Sequence, residues 1–288
     1  MFDSGFGGLT VARAVMDLLP AEDLVYIGDT GRYPYGSKPL SEVRSHAEEL
    51  ARSLVRDFAV KAIIVACNTA TAAGLDELRA ELTVPIIDVI EPGARSLVRA
   101  TDTGRVGVIG TVGTVSSGAY LDAVARTGAP VTLISAACPG FVEFVERGQI
   151  VGDEVTVLAE RLLAPIREAH VDALLLGCTH YPFLARTISD VMGPAVTLVS
   201  SADETAFAAH AELERLGLLR GQDAVGQHRF LSSGDIDTFR ELGGRLLGPE
   251  LAHTERWPLD RPARSSCDEP ARPNPEPAIP RSTHDPTR

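Results

Sequence analysis

The stretch Leu174-Leu175-Leu176-Gly177-Cys178-Thr179-His180-Tyr181-Pro182 decides the reading of this chain. Three consecutive leucines have the character of a strand buried on both faces, as in a parallel sheet covered by helices. A thiol, a hydroxyl and an imidazole follow at the carboxyl end of that strand, which is where open α/β sheets place their ligands. A second stretch repeats the pattern: Ile63-Ile64-Val65-Ala66-Cys67-Asn68-Thr69-Ala70 is an apolar run, a small residue, a cysteine and two polar residues. Two strand ends of one kind predict two halves facing a single site.

Working outward, apolar runs predict strands over 24–27, 61–66, 84–89, 105–109, 131–135, 171–176, 196–199 and 228–231. Between them the spacing predicts helices over 9–19, 41–58 (with Ser41 as N-cap), 69–82, 94–100, 119–126, 153–169, 183–192, 200–216 and 236–247. Pro165 is expected to kink or end its helix. The alternation defines an α/β fold with mostly parallel sheets. Glu91-Pro92-Gly93 reads as a break after which the alternation restarts. The expectation is therefore two pseudo-symmetric α/β domains with the active site in the cleft between them. The first spans 1–91 plus 200–257 and the second 92–199. The proline-rich residues 258–288, which hold Cys267, are expected to form a disordered tail. Asp3-Ser4-Gly5 reads as a strand end, yet only two residues precede it. A strand usually has about five, so this one is expected to begin upstream of Met1.

With 288 residues, 44% hydrophobic and 23% charged, the chain can bury a large core. No run approaches the roughly 18 apolar residues of a membrane span, and no signal-peptide pattern opens the chain. The reading is a cytoplasmic protein with no membrane partner. A net charge of −12 disfavours nucleic acid as a partner, while a small anionic substrate stays open because a helix N-terminus acts locally. The cysteines Cys67, Cys138, Cys178 and Cys267 include no CxxC pair, which argues against a disulfide framework or a structural zinc site. Neither a dinucleotide fingerprint nor a P-loop is present, and no lysine motif suggests pyridoxal phosphate, so no cofactor and no metal are expected.

A lone cysteine is most often a small buried hydrophobe, and that is the reading for Cys138. Cys67 and Cys178 differ because each ends a strand and precedes polar groups. In a cysteine hydrolase one thiolate attacks a carbonyl while a histidine moves the proton, and a second cysteine would be idle. In a two-base racemase one thiolate removes an α-proton and the opposite thiol supplies another. The duplicated strand ends suit the second chemistry. His180, two residues after Cys178, is placed to assist its sulfur. Asp3 reads equally as a helix-capping carboxylate, and Glu146 as part of a solvated helix face.

Six motifs in order carry a resemblance: Asp3-Ser4-Gly5 with Gly7-Gly8-Leu9-Thr10, Gly28-Asp29-Thr30, Pro34-Tyr35-Gly36, Cys67-Asn68-Thr69-Ala70, Gly110-Thr111 with Gly113-Thr114-Val115, and Gly177-Cys178-Thr179-His180-Tyr181-Pro182. Over Asp3 to about Gly248 the chain resembles the glutamate racemases of the aspartate/glutamate racemase superfamily. The resemblance implies cofactor-independent interconversion of L- and D-glutamate, supplying D-glutamate for peptidoglycan and so for cell-wall biogenesis and cell shape. It implies Cys67 and Cys178 as the acid–base pair, with Asp3 supporting Cys67 and His180 supporting Cys178. It implies Ser4, Tyr35, Gly36, Asn68, Thr69 and Thr179 as substrate-holding residues, with Thr111, Thr114 and Glu146 nearby. Arg32-Tyr33 and Glu143-Phe144 depart from the pattern. A related aspartate or hydantoin racemase, or a non-catalytic amino-acid-binding regulator, is the alternative. The resemblance leaves a homodimer open.

Overall fold

The computed structural model describes residues 1–221 and 223–259. The segment expected to be a disordered tail lies, from residue 260 onward, outside the described residues. In chain order the strands are β1 (Phe2–Asp3), β2 (Leu24–Gly28), β3 (Ile63–Val65), β4 (Ile86–Asp88), β5 (Arg105–Gly110), β6 (Thr132–Ala137), β7 (Ala173–Gly177), β8 (Thr197–Val199), β9 (His228–Ser232) and β10 (Thr254–Arg256). They form two sheets, β10-β9-β2-β1-β3-β4 and β6-β5-β7-β8. Every strand pairing in both is parallel.

The helices are α1 (Leu9–Leu18), α2 (Leu40–Phe58), α3 (Asn68–Ala72), α4 (Asp76–Glu81), α5 (Ile90–Ala100), α6 (Val112–Ser116), α7 (Ala119–Arg126), α8 (Phe141–Glu146), α9 (Asp153–Glu168), α10 (Ala185–Met192), α11 (Ala202–Arg215) and α12 (Ile236–Leu247). They cover the sheets with apolar stripes such as Leu9, Val11, Ala12, Val15 and Met16 of α1. The strands are apolar because both of their faces are covered: all five residues of β7 are buried.

Three local expectations are corrected. The helix expected over 69–82 is two, because Gly74 adopts φ +99°, a left-handed conformation that ends α3 before α4 begins. Ser41 is not the cap of α2, which starts at Leu40 after Pro39 with no side-chain cap. Glu91-Pro92-Gly93 does not break the chain but lies inside the first turn of α5, where a proline sacrifices no helical hydrogen bond. Asp88 makes that start possible. Its Oδ1 accepts from the backbone N–H groups of Ile90 (2.8 Å) and Glu91 (3.0 Å), and its Oδ2 from Arg79 Nη2 at 2.7 Å. Asp88→Ala is expected to cost about 1–2 kcal/mol, the usual loss for removing a helix-capping side chain, read as a lower urea midpoint at an unchanged slope. An unchanged midpoint would show that the cap contributes nothing. α9 also continues through Pro165 to Glu168.

β1 has only two residues, yet it is bonded on both sides. Ile27 N donates to Met1 O (3.0 Å), Asp29 N to Asp3 O (2.9 Å) and Ala66 N to Phe2 O (2.9 Å). β1 therefore sits centrally between β2 and β3, where the chain winds outward in opposite directions, and it delivers Asp3 to the crevice at the carboxyl ends of the strands. In the second sheet β5 and β7 hold the same central position and deliver Thr111 and Cys178.

Candidate active site

The loops at the carboxyl ends of both sheets enclose a small pocket of about 80 Å³, room for roughly six waters or one small molecule. From the first sheet come Ser4, Tyr35, Gly36, Cys67, Asn68 and Thr69; from the second come Thr111, Cys178, Thr179 and His180. Asp3, Thr114 and Glu146 stand behind this lining rather than in it. No lysine or arginine lines the pocket, so a bound carboxylate would be held by hydroxyls and N–H groups.

Cys67 occupies the N-cap position of α3, where its Sγ accepts from Ala70 N at 3.4 Å. The thiol also donates to Ser4 Oγ at 3.7 Å. Burial, and then the charge of Asp3, push the Cys67 thiol well above its ordinary range. Asp3 is itself completely buried. Its Oδ2 accepts from Gly8 N at 2.7 Å, and its Oδ1 has no partner. Burial raises its carboxyl above the usual carboxylate value, against the opposing effects of His180 and the Gly8 N–H. A carboxylate of raised basicity with a free oxygen beside a thiol is a fitting recipient for that thiol's proton.

The other side is built differently. His180 Nδ1 is 4.0 Å from Cys178 Sγ, and its Nε2 is 3.6 Å from Glu146 Oε1. Burial alone would lower the imidazole's proton affinity, but Cys178 and Glu146 outweigh it and bring His180 up to about 10. The ring packs edge-on against Phe6 at 4.9 Å. Since the folded value lies above the ordinary 6.5, this group's contribution to stability is complete below 6.5 and is lost as pH rises through about 10. Urea denaturation should therefore show wild type losing its stability margin over His180→Asn across that window. A margin that stays constant would mean that His180 is neutral in the folded protein.

The two halves touch around the pocket through hydroxyls and amides. Thr69 Oγ1 is 3.0 Å from Thr111 Oγ1 and 3.3 Å from Thr114 Oγ1. Thr111 also caps α6 by accepting from Thr114 N. Gly113 N donates to Gly36 O at 3.2 Å. Tyr120 donates to Asn68 Oδ1 at 2.6 Å, and Asn68 Nδ2 is left as a buried donor without a partner. Tyr35 is buried with its hydroxyl donating to Asp29 Oδ2, and Asp29 also receives Ser233 Oγ (2.6 Å) and Arg32 Nε (2.8 Å).

Sequence reasoning missed several of these. Cys138, read as a plain hydrophobe, is buried but lines the pocket, with burial pushing its thiol up to about 12. Tyr120 and Ser233 carried no motif signal, because their partners are far away in sequence. Asp29 was visible in Gly28-Asp29-Thr30, but nothing local tied it to Tyr35.

The profile of the Asp/Glu/hydantoin racemase family matches residues 9–209. The chain belongs to that family and is an isomerase. It is 50% identical over 268 residues to the glutamate racemase of a Parafrankia species, covering 93% of this chain and 96% of that one. Among solved structures, a glutamate racemase isoform from Bacillus anthracis superposes with a TM-score of 0.83 at 39% identity, covering 90% of this chain and 96% of its own. The Francisella tularensis glutamate racemase in complex with D-glutamate gives a TM-score of 0.83 at 33% identity, with the same coverage of both chains. Among the described residues no helix is long and apolar enough to cross a membrane.

Proposed function

We propose that this isomerase interconverts L- and D-glutamate by moving the Cα proton between Cys67 and Cys178, without a cofactor. The observation that carries the reading is that two cysteines, each at the end of a central region of a different sheet, line one pocket sized for a small molecule. The relatives' names supply the substrate. One sulfur takes the α-proton as the other gives its own to the opposite face, so configuration inverts.

The asymmetric surroundings fit that task. Cys67 is held as a thiol, with Asp3 placed to accept its proton when Cys67 must act as the base. A charged His180 stands beside Cys178 and favours negative charge on that sulfur. Ser4, Tyr35, Gly36, Asn68, Thr69, Thr111 and Thr179 supply the donors and the shape that hold the two carboxylates, with Thr114 behind them. Glu146 acts on substrate through His180. The halves 1–91 with 200–257 and 92–199 serve as two domains closing on the substrate. D-Glutamate made this way would feed peptidoglycan synthesis in the cytoplasm.

The test is turnover in deuterium oxide. L- and D-glutamate should each racemise by circular dichroism and gain one deuterium at Cα by mass spectrometry, with aspartate turned over far more slowly. Faster turnover of aspartate or a hydantoin would assign a sister activity. Binding without deuterium incorporation would leave a regulator.

A further inference from the structure

The Tyr33 hydroxyl is buried and has no hydrogen-bond partner. Its ring forms part of the pocket wall and lies 6.0 Å from the His180 ring, tilted by 36°. His180 Nε2 is likewise buried without a hydrogen bond, with Glu146 Oε1 just beyond reach at 3.6 Å. Two donors, one on the loop after β2 and one on the loop after β7, thus share a small region with Glu146 on α8, whose neighbour on the same helix, Glu143, lines the pocket. His180 is one short step from a bond to Glu146, and the Tyr33 hydroxyl is buried beside the same imidazole with nothing to donate to.

We propose that Tyr33 is a positioning residue: its hydroxyl donates to the Glu146 carboxylate and holds it against His180, which fixes the imidazolium beside Cys178. The contact also ties the first-sheet loop carrying Tyr35 and Gly36 to the second-sheet wall of the pocket. After burial, Glu146 is the strongest influence holding the Tyr33 phenol above its ordinary range, followed by Cys178. Tyr33 therefore serves as a donor only. The charged or titratable groups facing His180 are Cys178 on its own loop, Glu146 on α8, Asp3 at the end of β1, and Tyr33. Phe6 adds an apolar contact to the ring. Of these four groups, Tyr33 carries no proton in the proposed reaction, and Tyr33→Phe removes only its hydroxyl.

The kinetic part rests on the racemase reading, so a measurement independent of activity comes first. The His180 imidazole is titrated by NMR in the unliganded chain, its resonance identified by its absence from His180→Asn. The same titration is run on Tyr33→Phe, Glu146→Gln and the double variant. The midpoint should be about 10 in wild type. It should fall by about half a pH unit or more in Tyr33→Phe and further in Glu146→Gln. Tyr33→Phe should add no further shift in the Glu146→Gln background, because the carboxylate through which it acts is gone. In turnover, Tyr33→Phe should lower kcat about threefold to tenfold from both enantiomers with a smaller change in KM. An unmoved midpoint in Tyr33→Phe, or an equal shift with and without Glu146, overturns the proposal. If wild type does not turn over glutamate, the function fails and the titration still decides the role of Tyr33.

Discussion

Cys67→Ser and Cys178→Ser should each lower kcat by about a thousandfold or more from both enantiomers, while the melting temperature stays near that of wild type. General acid–base catalysis by a placed side chain is worth about 10²–10⁴, and on the proposed two-base reading each variant removes the group serving one face of Cα. The loss must appear in both directions, because one sulfur takes a proton as the other gives one away. Serine keeps the shape and a hydrogen-bonding atom: in Cys67→Ser the introduced hydroxyl would still lie at the N-cap of α3, where serine is a favoured residue. That hydroxyl, however, is far harder to ionise than a thiol. The environment of Cys67 makes this worse, since burial and Asp3 already oppose a negative charge there. Deuterium incorporation from one enantiomer alone would locate the surviving sulfur on one face. Wild-type racemisation by either variant would end the two-base reading.

Much of the fold was legible because the strands are apolar on both faces and the helices punctuate them. The helix expected over 236–247 matches α12 residue for residue, with Asp235 accepting from Thr238 N as its cap. β10 was not legible, since Thr254-Glu255-Arg256 is a polar, largely exposed edge strand that carries no apolar signal. The start of α5 was hidden for another reason. A proline and a glycine look like a break until the capping carboxylate of Asp88 is recognised two residues upstream of the helix. At the site, the two cysteines stood out because strand, thiol and polar residues are contiguous. What sequence reading could not reach is tertiary: Asn68 is set by Tyr120, and Asp29 by Ser233, through contacts between segments joined only by folding.

Gly7→Ala should cost about a hundredfold in kcat, the second large effect, although it adds a single methyl group. A Cβ on Gly7 would come within 2.5 Å of His180 Nδ1, 2.6 Å of Thr179 Oγ1 and 2.7 Å of His180 Cε1. These are closer than atoms can pack, and the neighbours have little room to yield. His180 is only 2% exposed and Thr179 6%. The His180 ring is also braced by Phe6, while Thr10 N and Thr10 Oγ1 both bond to Gly7 O. Either the loop after β1 moves, displacing Ser4 and Asp3, or the loop after β7 moves, carrying His180 away from Cys178. A displacement of about 1 Å in a catalytic arrangement can cost about 10² in rate, and overpacking a buried contact costs about 1–3 kcal/mol of stability. Kinetics and thermal melting on one preparation separate the two effects: a folded protein with a slightly lower melting temperature and a greatly reduced kcat is expected. Gly8 is a useful control, since its Cβ would meet Asp3 Cβ at 2.7 Å and Ala66 Cβ at 2.9 Å, on the Cys67 side. Gly7→Ala should therefore lower the His180 titration midpoint more than Gly8→Ala does, since Gly8→Ala reaches His180 only through Asp3. Wild-type turnover by Gly7→Ala would mean that the two loops stand farther apart in the working enzyme than they do here.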